Sequence, residues 1–513
     1  MNQYVDVFLK AVLEKVKYKK MHPYLAEELN DHIELLKEEF LEEGLTEEQA
    51  YKRAVEQMGE PNIVGESLHK VHKPKVEWSI LLLIAALISI GILTLMAYAN
   101  QSNDYSFKRQ IVFVILGCGV CLATYLLNYR HLERWSLALY TTGILLVLGT
   151  AFFGVTINGA RAWLSIGGVA LQATSVAVPL ITLSFVGLTR KWMNKGLAGY
   201  VRLVTCALFA SLVCGLNQMM TGVLLLITCL CIFISYLFSA EFKGDRRRVG
   251  RSLIGGILLL ACGLVYTVIT VPYRLERIQA WINPDLDPNG SGWSMNHLRE
   301  IGRSASWTGN GGLFAVTEGE LWMPFGPSTK SEYIFSFILG NFGILMAACV
   351  LLGVGLFIIR CFKSATKINE LYGRNLLYAI SCYFTLQFIF NIGLNLGILP
   401  SGSAYLPFIS YGGSNLVCDM ALMGFFLGVY RRKDIMPAEL LKVEAVREAD
   451  KIALGHKFFI IRDKKKVEEA RKEERYGIAE KLMGRGMDDL TIIETTSLSS
   501  DEVQFLKEKL KTQ

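Results

Sequence analysis

Residues 79–98 read SILLLIAALISIGILTLMAY, a run without a single charged side chain. An α-helix of about 20 apolar residues can cross the roughly 30 Å hydrocarbon core of a bilayer. Similar runs recur through the middle of the chain, and a buried core helix could imitate one of them but not the series. Ten spans are expected, near residues 79–98, 110–127, 136–153, 168–188, 200–217, 220–239, 252–272, 332–359, 376–398 and 405–430. The sequence therefore predicts an all-α, polytopic integral membrane protein with small helical regions at both ends.

The distribution of charge indicates how these spans are oriented. Hydrophobic residues make up 52% of the 513 residues and charged residues only 19%, which is too apolar for an average soluble protein. Arginine and lysine gather in alternate short loops, and such loops face the cytoplasm in membrane proteins. The clusters are Arg190, Lys191 and Lys195; Lys243 and Arg246 to Arg248; Arg360, Lys363 and Lys367; and Arg431 to Lys433. We expect both termini in the cytoplasm, and the net charge of +7 reflects membrane topology rather than nucleic-acid binding.

Residues 1–77 are predicted to form a small cytoplasmic domain of helices. A second helix should cover about residues 24–43, and Thr46 with Gln49 has the spacing of a capping box for a third. The first helix is marked by an apolar stripe of Val5, Phe8, Val12 and Val16. With its Met-Gly-Glu-Pro ending at residues 58–61, the region resembles the permease-prefix domains that precede some bacterial membrane proteins. It would be a docking module for cytoplasmic proteins or a packed helical cap.

Residues 434–513 are predicted to form a charged, helical cytoplasmic tail. Residues 464–475 are rich in both signs, as in a solvated helix, and two amphipathic turns follow at residues 478–483 and 490–493. The spacing of these turns is faintly like that of a helix-turn-helix, but they lack the basic face that reads DNA. We therefore expect the tail, like residues 1–77, to bind protein partners and not nucleic acid.

Residues 273–331 form the only long polar segment between two apolar runs, and the charge pattern puts this segment outside the cell. It opens with Tyr-Arg-Leu-Glu-Arg at residues 273–277 and continues with Asn-Pro-Asp-Leu-Asp-Pro at residues 283–288. A lone acid, Glu332, stands where the chain re-enters the membrane. Placing a carboxylate at the lipid boundary costs free energy. Glu332 is therefore a candidate functional residue.

Four strings together carry a resemblance to a known family. They are Gly-Ala-Arg-Ala-Trp-Leu at 159–164; the outer loop from Tyr273 through Gly-Ser-Gly-Trp at 290–293; Pro327 with Glu-Tyr-Ile-Phe at 332–335; and Gly-Ile-Leu-Pro at 397–400 with Leu-Pro-Phe-Ile-Ser-Tyr-Gly-Gly-Ser at 406–414. In order, spacing and ten-span layout, the middle of the chain resembles the shape, elongation, division and sporulation family, which includes FtsW, RodA and SpoVE. The chain is thus expected to comprise residues 1–77, a family-like membrane domain at 78–433, and residues 434–513.

The resemblance implies a peptidoglycan glycosyltransferase of bacterial cell division, elongation or sporulation. Such proteins polymerise lipid II, a lipid-linked disaccharide-peptide, at the outer face of the cytoplasmic membrane, usually with a class B penicillin-binding transpeptidase. The resemblance also implies that the acid at the start of the eighth span, here Glu332, is the general base. A carboxylate within hydrogen-bond reach of a sugar hydroxyl can take its proton as the new bond forms.

The leaving group of that reaction is a lipid diphosphate, so nearby cations should stabilise its charge. Arg274 and Arg277 lie in a suitable loop, although they would equally serve to anchor that loop at the membrane interface. The expected catalytic residue is Glu332, and the expected substrate-binding residues are Arg161, Gln172, Tyr273, Arg274, Arg277, Ser410, Tyr411, Gly412, Gly413 and Ser414. The sequence has no metal-ligand pattern, but a divalent cation, Mg²⁺ or Mn²⁺, is a candidate cofactor.

The chain departs from the family pattern at several polar positions. Glu332 stands where family members carry Asp, and the longer side chain shifts the carboxylate by about 1 Å, which can lower a rate on the order of a hundredfold. The strings Gln-Ala-Thr-Ser at 172–175 and Gln-Met-Met-Thr-Gly at 218–222 each lack an acid, and Val178 replaces a lysine. Both signs are lost together, as expected when a buried ionic network is dismantled as a unit.

Three hypotheses for the function follow. The chain is a remodelled lipid II polymerase, a non-catalytic scaffold or regulator of the cell-wall machinery with the same fold, or a transporter of a lipid-linked precursor. The spans lack the dense midplane charges that coupled transporters tend to use. Asp419 is the acid within the last apolar run, and it is either functional or paired with an amide or hydroxyl of a neighbouring helix. Gln387, Asn391 and Asn395 share one face of the ninth span.

Overall fold

The structure is a computed structural model that describes most of the chain up to Lys433. The described residues are 3–73, 75–102, 104–157, 160–166, 169–239, 272–309, 326–400 and 404–433, with isolated positions at 242, 244–247, 249–251, 255, 263, 265, 269–270, 316–317, 320–321, 402 and 504. The predicted span at 252–272 and the predicted tail helices lie outside the described residues, apart from a few isolated positions. The chain divides into two compact units, Met1–Met436 and Pro437–Gln513, and the description concerns the first.

The first four helices enclose a hydrophobic core of their own. They are α1 (Gln3–Lys15), α2 (His22–Glu42), α3 (Glu47–Gln57) and α4 (Pro61–His72). Gly44 and Gly59 follow α2 and α3 with φ of +89°, a left-handed conformation that glycine adopts readily. The Gln49 side chain accepts the Thr46 N–H at 3.3 Å, as the capping-box spacing predicts. The fourth helix was not anticipated, although Pro61 suits a first helical position. The core consists of Val5, Phe8, Leu9, Val12, Leu29, Ile33, Phe40, Ala50 and Ala54.

Eight helices within the described residues are long and apolar enough to cross a membrane. In chain order the remaining helices are α5 (Trp78–Ser102), α6 (Ser106–Leu126), α7 (Arg130–Arg134), α8 (Ser136–Phe153), α9 (Ala173–Trp192), α10 (Gly196–Asn217), α11 (Met219–Leu237), α12 (Pro272–Ile282), α13 (Trp293–Ser304), α14 (Ile334–Thr366), α15 (Leu371–Asn395) and α16 (Gly413–Arg431). The eight are α5, α6, α9, α10, α11, α14, α15 and α16, and α8 fills the predicted run 136–153 as a shorter apolar helix. The prediction of an all-α, polytopic membrane fold is therefore confirmed.

Two of the predicted runs begin later than expected. Three strands between α8 and α9 form an antiparallel sheet: β1 (Gly154–Ile157), β2 (Ala160–Ile166) and β3 (Val169–Gln172). The expected helical start near residue 168 was wrong because the backbone groups of β3 pair across the sheet with β2. The last run also starts late, since residues 404–412 form turns and α16 begins only at Gly413. A second hairpin in the outer loop pairs β4 (Val316–Thr317) with β5 (Glu320–Leu321).

Glycines allow α6 and α16 to approach each other closely. A Cβ atom on Gly424 would lie 1.9 Å from Thr124 Oγ1 and 2.3 Å from the carbonyl oxygen of Cys121. One turn later, a Cβ atom on Gly428 would lie 2.9 Å from the carbonyl oxygen of Tyr125. Small residues at such contacts let membrane helices gain dispersion energy over a close backbone interface. This pair of helices therefore depends on the absence of side chains along one stripe of α16.

Gly424→Ala should separate α6 from α16 and destabilise the bundle. The new methyl group meets a backbone carbonyl that cannot rotate away, so overpacking should lower the free energy of unfolding by about 1–3 kcal/mol. The matched control is Gly119→Ala on α6, where an added Cβ atom has no heavy atom within 4 Å. Thermal unfolding of both purified variants in detergent makes the comparison. An unchanged unfolding midpoint for Gly424→Ala would contradict the close contact.

The ends of the spans near the basic loops are joined through Glu370, which precedes α15. Its carboxylate accepts the N–H groups of Tyr372 at 3.1 Å and Gly373 at 2.5 Å, and so caps the helix. It also pairs with Arg190 of α9 at 3.5 Å, and Arg190 pairs with Glu133 of α7 at 3.2 Å. A carboxylate at a helix N-terminus is favoured by the helix dipole. The start of α15 is therefore fixed to two other helices by charge.

Candidate functional site

Glu332 lies in the turn between a 3₁₀-helix, Gly326–Lys330, and the start of α14. The residue is half-buried. Its backbone carbonyl oxygen accepts two side-chain hydrogen bonds from α15, from Asn391 Nδ2 at 2.8 Å and from Asn395 Nδ2 at 2.9 Å. Both asparagines are buried, and they stand one helical turn apart on the polar face expected from the sequence. One face of α15 thus holds the backbone of the candidate base.

The same two asparagines fix the chain on either side of this turn. Asn391 Nδ2 also donates to the carbonyl oxygen of Ala404 at 2.8 Å. Asn395 Oδ1 accepts the N–H of Ser336 at 3.0 Å and its hydroxyl at 2.7 Å. The turn at Glu332, the first turn of α14 and the segment before α16 therefore meet on α15. Leaving one of these buried groups without a partner would cost about 1–3 kcal/mol.

The Ser-Tyr-Gly-Gly-Ser string at 410–414 lies directly against this turn. Ser410 Oγ donates to the carbonyl oxygen of Ser331 at 2.6 Å, across a separation of 79 residues in the chain. The N–H of Tyr411 donates to the carbonyl oxygen of Lys330 at 2.9 Å. Two strings that the sequence analysis singled out separately are thus joined by backbone and hydroxyl hydrogen bonds.

Lys330 brings a positive charge to within two residues of Glu332. Its ammonium forms an ion pair with Asp104, in the loop between α5 and α6, and donates to Ser106 Oγ at 2.6 Å. It also lies 4.9 Å from the ring centroid of Tyr411, a cation–π distance. Burial raises the pKa of Asp104, but the hydrogen bonds from Lys330 and Ser106 outweigh burial, so this pKa lies below its ordinary value. The α5–α6 loop is therefore anchored to the site.

A neutral hydrogen-bond network surrounds Gln172, at the end of β3. Gln172 Nε2 donates to Gln218 Oε1 at 3.3 Å, and the same oxygen accepts the hydroxyls of Thr174 at 3.2 Å and Thr221 at 3.1 Å. The Gln172 N–H donates to Ser414 Oγ at 3.4 Å, which links the network to the 410–414 string. Amides and hydroxyls therefore satisfy one another in the two strings from which the sequence analysis found acids missing.

The described part of the outer loop packs onto the same end of the bundle. From α13, Leu298 contacts Tyr333 and Leu394, while Ile301 packs with Tyr98 and Phe337. Because Tyr333 directly follows Glu332, the loop contacts the turn that carries the candidate base. These contacts bring α5, α13, α14 and α15 together beside Glu332.

The Asn-Pro-Asp-Leu-Asp-Pro string of the outer loop folds into a tight turn centred on Asp287. Its carboxylate accepts the N–H of Ser291 at 2.8 Å, and its carbonyl oxygen accepts the N–H groups of Gly290 at 3.3 Å and Gly292 at 3.0 Å. A Cβ atom on Gly292 would lie 2.0 Å from the carbonyl oxygen of Pro284. The Gly-Ser-Gly string is therefore required by the backbone path that leads into α13.

Helix α14 is broken at Gly343, whose φ of +82° is left-handed. The N–H groups of Ile344 and Leu345 donate to the carbonyl oxygens of Ser306 at 2.9 Å and Trp307 at 3.1 Å, from the segment after α13. A Cβ atom on Gly343 would lie 2.7 Å from the Ser306 oxygen. The loop thus replaces hydrogen bonds of α14 about three turns beyond Glu332.

Asp419 on α16 accepts a chain of hydrogen bonds inside the bundle. The hydroxyl of Tyr405 donates to Asp419 Oδ1 at 2.9 Å, and it lies 2.9 Å from the hydroxyl of Tyr383. The Tyr383 hydroxyl accepts Gln387 Nε2 at 3.3 Å. Asp419 thus pairs with a hydroxyl, as one interpretation expected, but Tyr405 lies in the segment before α16 and not on a neighbouring helix.

Comparison with known proteins places this arrangement in a family. Residues 75–435 match the FtsW, RodA and SpoVE family, described as cell cycle protein. The chain belongs to this family. It is 29% identical over 391 residues to the "Probable peptidoglycan glycosyltransferase FtsW" of Thioalkalivibrio sulfidiphilus, covering 72% of this chain and 92% of that relative. It is 28% identical over 377 residues to the "Stage V sporulation protein E" of Bacillus subtilis, covering 70% and 98%.

A solved structure shares the fold of this protein. It belongs to the work "Structural coordination of polymerization and crosslinking by a peptidoglycan synthase complex". The match covers 70% of this chain and 98% of that one, with a TM-score of 0.56 and 23% sequence identity. Residues 1–74 and the tail after residue 435 lie outside the family match.

The structure brings together part of the site that the family resemblance predicts. The two residues before Glu332 bond to the 410–414 string, and Gln172 bonds to the same string through Ser414. Arg277 lies half-buried on α12, and its contact with a diphosphate stays a prediction. The backbones of Arg161 in β2 and of Tyr273 and Arg274 in α12 are described, but their side chains are not.

Sequence reasoning missed Lys330, Asp104 and Gln110. Gln110 of α6 donates Nε2 to the carbonyl oxygen of Ser410 at 3.2 Å and accepts the N–H of Gly412 at 3.4 Å. Each of these polar residues stands near one end of an apolar run, which was the available signal. The pairing of the first outer loop with the eighth span is a long-range contact that no local pattern records.

No metal site can be assigned from protein ligands. Among the residues that the structure describes, no group of three or more His, Cys, Asp or Glu side chains could hold a metal ion. The carboxylate of Asp104 is engaged by Lys330 and Ser106. The described donor set therefore does not fit a divalent cation, and Mg²⁺ or Mn²⁺ stays a prediction.

The Asp104–Lys330 ion pair should make stability depend on acid pH. The folded-state pKa of Asp104 lies below its ordinary value of 3.8, so the contribution of this pair is present above that value. It is lost as the pH falls through the lowered pKa. The thermal unfolding midpoint of wild type should therefore fall more steeply below about pH 4 than that of Asp104→Asn. The exposed Asp31→Asn is the control, and equal slopes for wild type and Asp104→Asn would refute the pairing.

Proposed function

We propose that this protein is a peptidoglycan glycosyltransferase that polymerises lipid II, with Glu332 as the general base. The observation that carries the proposal is the hydrogen bonding of the turn at Glu332 to Asn391 and, through Ser331, to Ser410 at one end of the bundle. Relatives named peptidoglycan glycosyltransferase support it, because the match covers 92% of such a relative. The charge pattern of the loops supports an outer location for this end in the bacterial cytoplasmic membrane, with cytoplasmic termini.

The proposed step transfers a glycan from one lipid carrier to an acceptor sugar. An acceptor hydroxyl oxygen forms a bond to the anomeric carbon of the donor, while the bond from that carbon to the lipid diphosphate breaks. The hydroxyl proton passes to the carboxylate of Glu332, and the electron pair of the broken bond leaves with the diphosphate. The half-buried turn suits this role because its backbone is fixed while its carboxylate lies at the bundle end.

Cations of the protein are proposed to stabilise the leaving diphosphate. Arg274 and Arg277 belong to α12 in the outer loop, whose later helix α13 contacts Tyr333. Lys330 is the nearest cation along the chain to Glu332, but it is engaged by Asp104. We therefore assign Lys330 to positioning the turn and the two arginines to the diphosphate.

Partner binding is the second element of the proposal. The chain is proposed to act with a class B penicillin-binding transpeptidase, and the fold it shares with a chain of a peptidoglycan synthase complex is consistent with this. Residues 1–77 and 434–513 would recruit cytoplasmic proteins, because they lie outside the family match apart from a few residues.

Replacing Glu332 should abolish polymerisation. A general base contributes on the order of a hundredfold to ten-thousandfold to a rate, so Glu332→Ala and Glu332→Gln should lower glycan synthesis by that factor. Glu332→Asp should raise activity above wild type, because it restores the shorter side chain of the family. The measurement is strand formation from labelled lipid II with the transpeptidase partner present. The control is Glu300→Ala, which removes an exposed acid of α13. Strand formation by Glu332→Ala at the wild-type level would contradict the proposal.

A second candidate is a non-catalytic scaffold or regulator of the same machinery. The neutral network of Gln172, Gln218 and the neighbouring threonines favours it, since this network lacks the buried charges expected of the family. In this case the membrane fold would present surfaces to partners, and the two cytoplasmic ends would carry the specific contacts.

The two candidates give opposite results in cells that lack the native gene. A scaffold predicts that Glu332→Ala restores wild-type growth or sporulation, whereas chains without residues 1–77 or 434–513 do not. A polymerase predicts that Glu332→Ala fails even when the variant reaches the membrane at wild-type abundance. Growth or spore counts, with membrane abundance measured by immunoblot, decide between them.

A further inference from the structure

A polar cavity lies at the opposite end of the bundle from Glu332, beside the basic loops. It has a volume of about 340 Å³ between the last turns of α11 and α14 and the first turns of α15. Ser235, Ser239, Thr366, Arg374, Asn375 and Tyr378 line it. Because α14 runs from the turn at Glu332 to Thr366, the proposed transferase chemistry does not account for this cavity.

The donors of this cavity come from the start of α15. Ser235 Oγ donates to Asn375 Oδ1 at 2.9 Å, so the Asn375 amide keeps its Nδ2 group as a donor. The Arg374 guanidinium supplies several N–H donors and no acceptor, and the Tyr378 hydroxyl adds one more. A fixed positive charge among neutral donors is an arrangement that suits phosphate oxygens.

The charge of Arg374 has no counter-ion within the part of the chain that the structure describes. Its side chain is half-buried, and the ion pairs found there do not include it. By contrast, Arg190 at the same end of the bundle pairs with both Glu133 and Glu370. A half-buried cation is costly without an anion, so an anionic ligand would offset the cost of desolvating Arg374.

Beside the serines of α11, exposed apolar side chains of the same segment border the cavity. Phe238 also lines the cavity and is 72% exposed, and Ile234 one turn earlier is 42% exposed. The ring of Tyr378 packs beside that of Phe362, with centroids 6.1 Å apart. Apolar and aromatic side chains at this level are typical of a membrane interface. A ligand with both phosphate and acyl chains would match the polar interior and the apolar side.

We propose that this cavity binds the phosphate headgroup of an anionic phospholipid from the cytoplasmic leaflet. Basic pockets between transmembrane helices on that side of a membrane bind such headgroups. Arg374 holds two phosphate oxygens, Asn375 and Tyr378 donate to the others, and the acyl chains lie along Phe238. The bound lipid ties together the ends of α11, α14 and α15. Free phosphate has the same oxygens but no acyl chains.

Lipid retention by the full-length protein tests the proposal. Wild type and variants are reconstituted in nanodiscs with equal parts of phosphatidylglycerol and phosphatidylcholine, then released into detergent for native mass spectrometry. One basic residue near a membrane surface changes the affinity for anionic lipid by about fivefold, so Arg374→Gln should retain less phosphatidylglycerol by that factor. Retention of phosphatidylcholine should not change. Arg374→Lys keeps the charge and should recover most of the retention.

Arg360→Gln is the matched control, since it removes an equal charge from an exposed position of α14 outside the cavity. It should retain phosphatidylglycerol as wild type does, and added inorganic phosphate should not displace the lipid. Equal losses in Arg374→Gln and Arg360→Gln would overturn the proposal, because surface charge alone would explain them. Displacement by inorganic phosphate would overturn the lipid as ligand. Tyr378→Phe, with an expected smaller loss, replaces Arg374→Gln as the test if the latter does not fold.

Discussion

The rest of the site depends on the two hydrogen bonds that Asn391 and Asn395 donate to the carbonyl oxygen of Glu332. Glu332 precedes the N-cap residue Tyr333, so its carbonyl oxygen lies outside the intrahelical hydrogen bonds of α14 and needs another partner. The two amides solve this problem with side chains instead of backbone. The same two side chains also form hydrogen bonds with Ser336 and Ala404, so they fix the backbone of Glu332 relative to both segments.

The electrostatics around this point differ from those of a site built on buried ion pairs. Gln218 collects one amide and two hydroxyl donors, so its neighbourhood is satisfied without a formal charge. The Asp104–Lys330 pair lies instead toward the loop that joins the first two spans. Both of its side chains are half-buried, so salt screens this pair less than an exposed one.

The hydrophobic runs were sufficient to predict the membrane helices that the structure describes, because a span must satisfy its backbone internally and must be apolar. The starts of α9 and α16 were misjudged, since Val169 and its neighbours are as apolar as a helix yet pair as a strand. The sequence predicted the polar face of α15 at Asn391 and Asn395, but it did not predict that this face binds the backbone of Glu332. Contacts such as Gln110 with Ser410 join segments 300 residues apart, and only the folded chain determines them.

The break of α14 at Gly343 has a consequence for how the protein assembles. The N–H groups of Ile344 and Leu345 are bonded to a segment that is synthesised before α14. Without that segment these two N–H groups would have no partner at the bend, so the bend of α14 and the docking of Ser306 and Trp307 depend on each other. Gly343 supplies the left-handed conformation that the bend requires. The shape of this membrane helix is therefore set in part by a loop segment that lies outside its own run of residues.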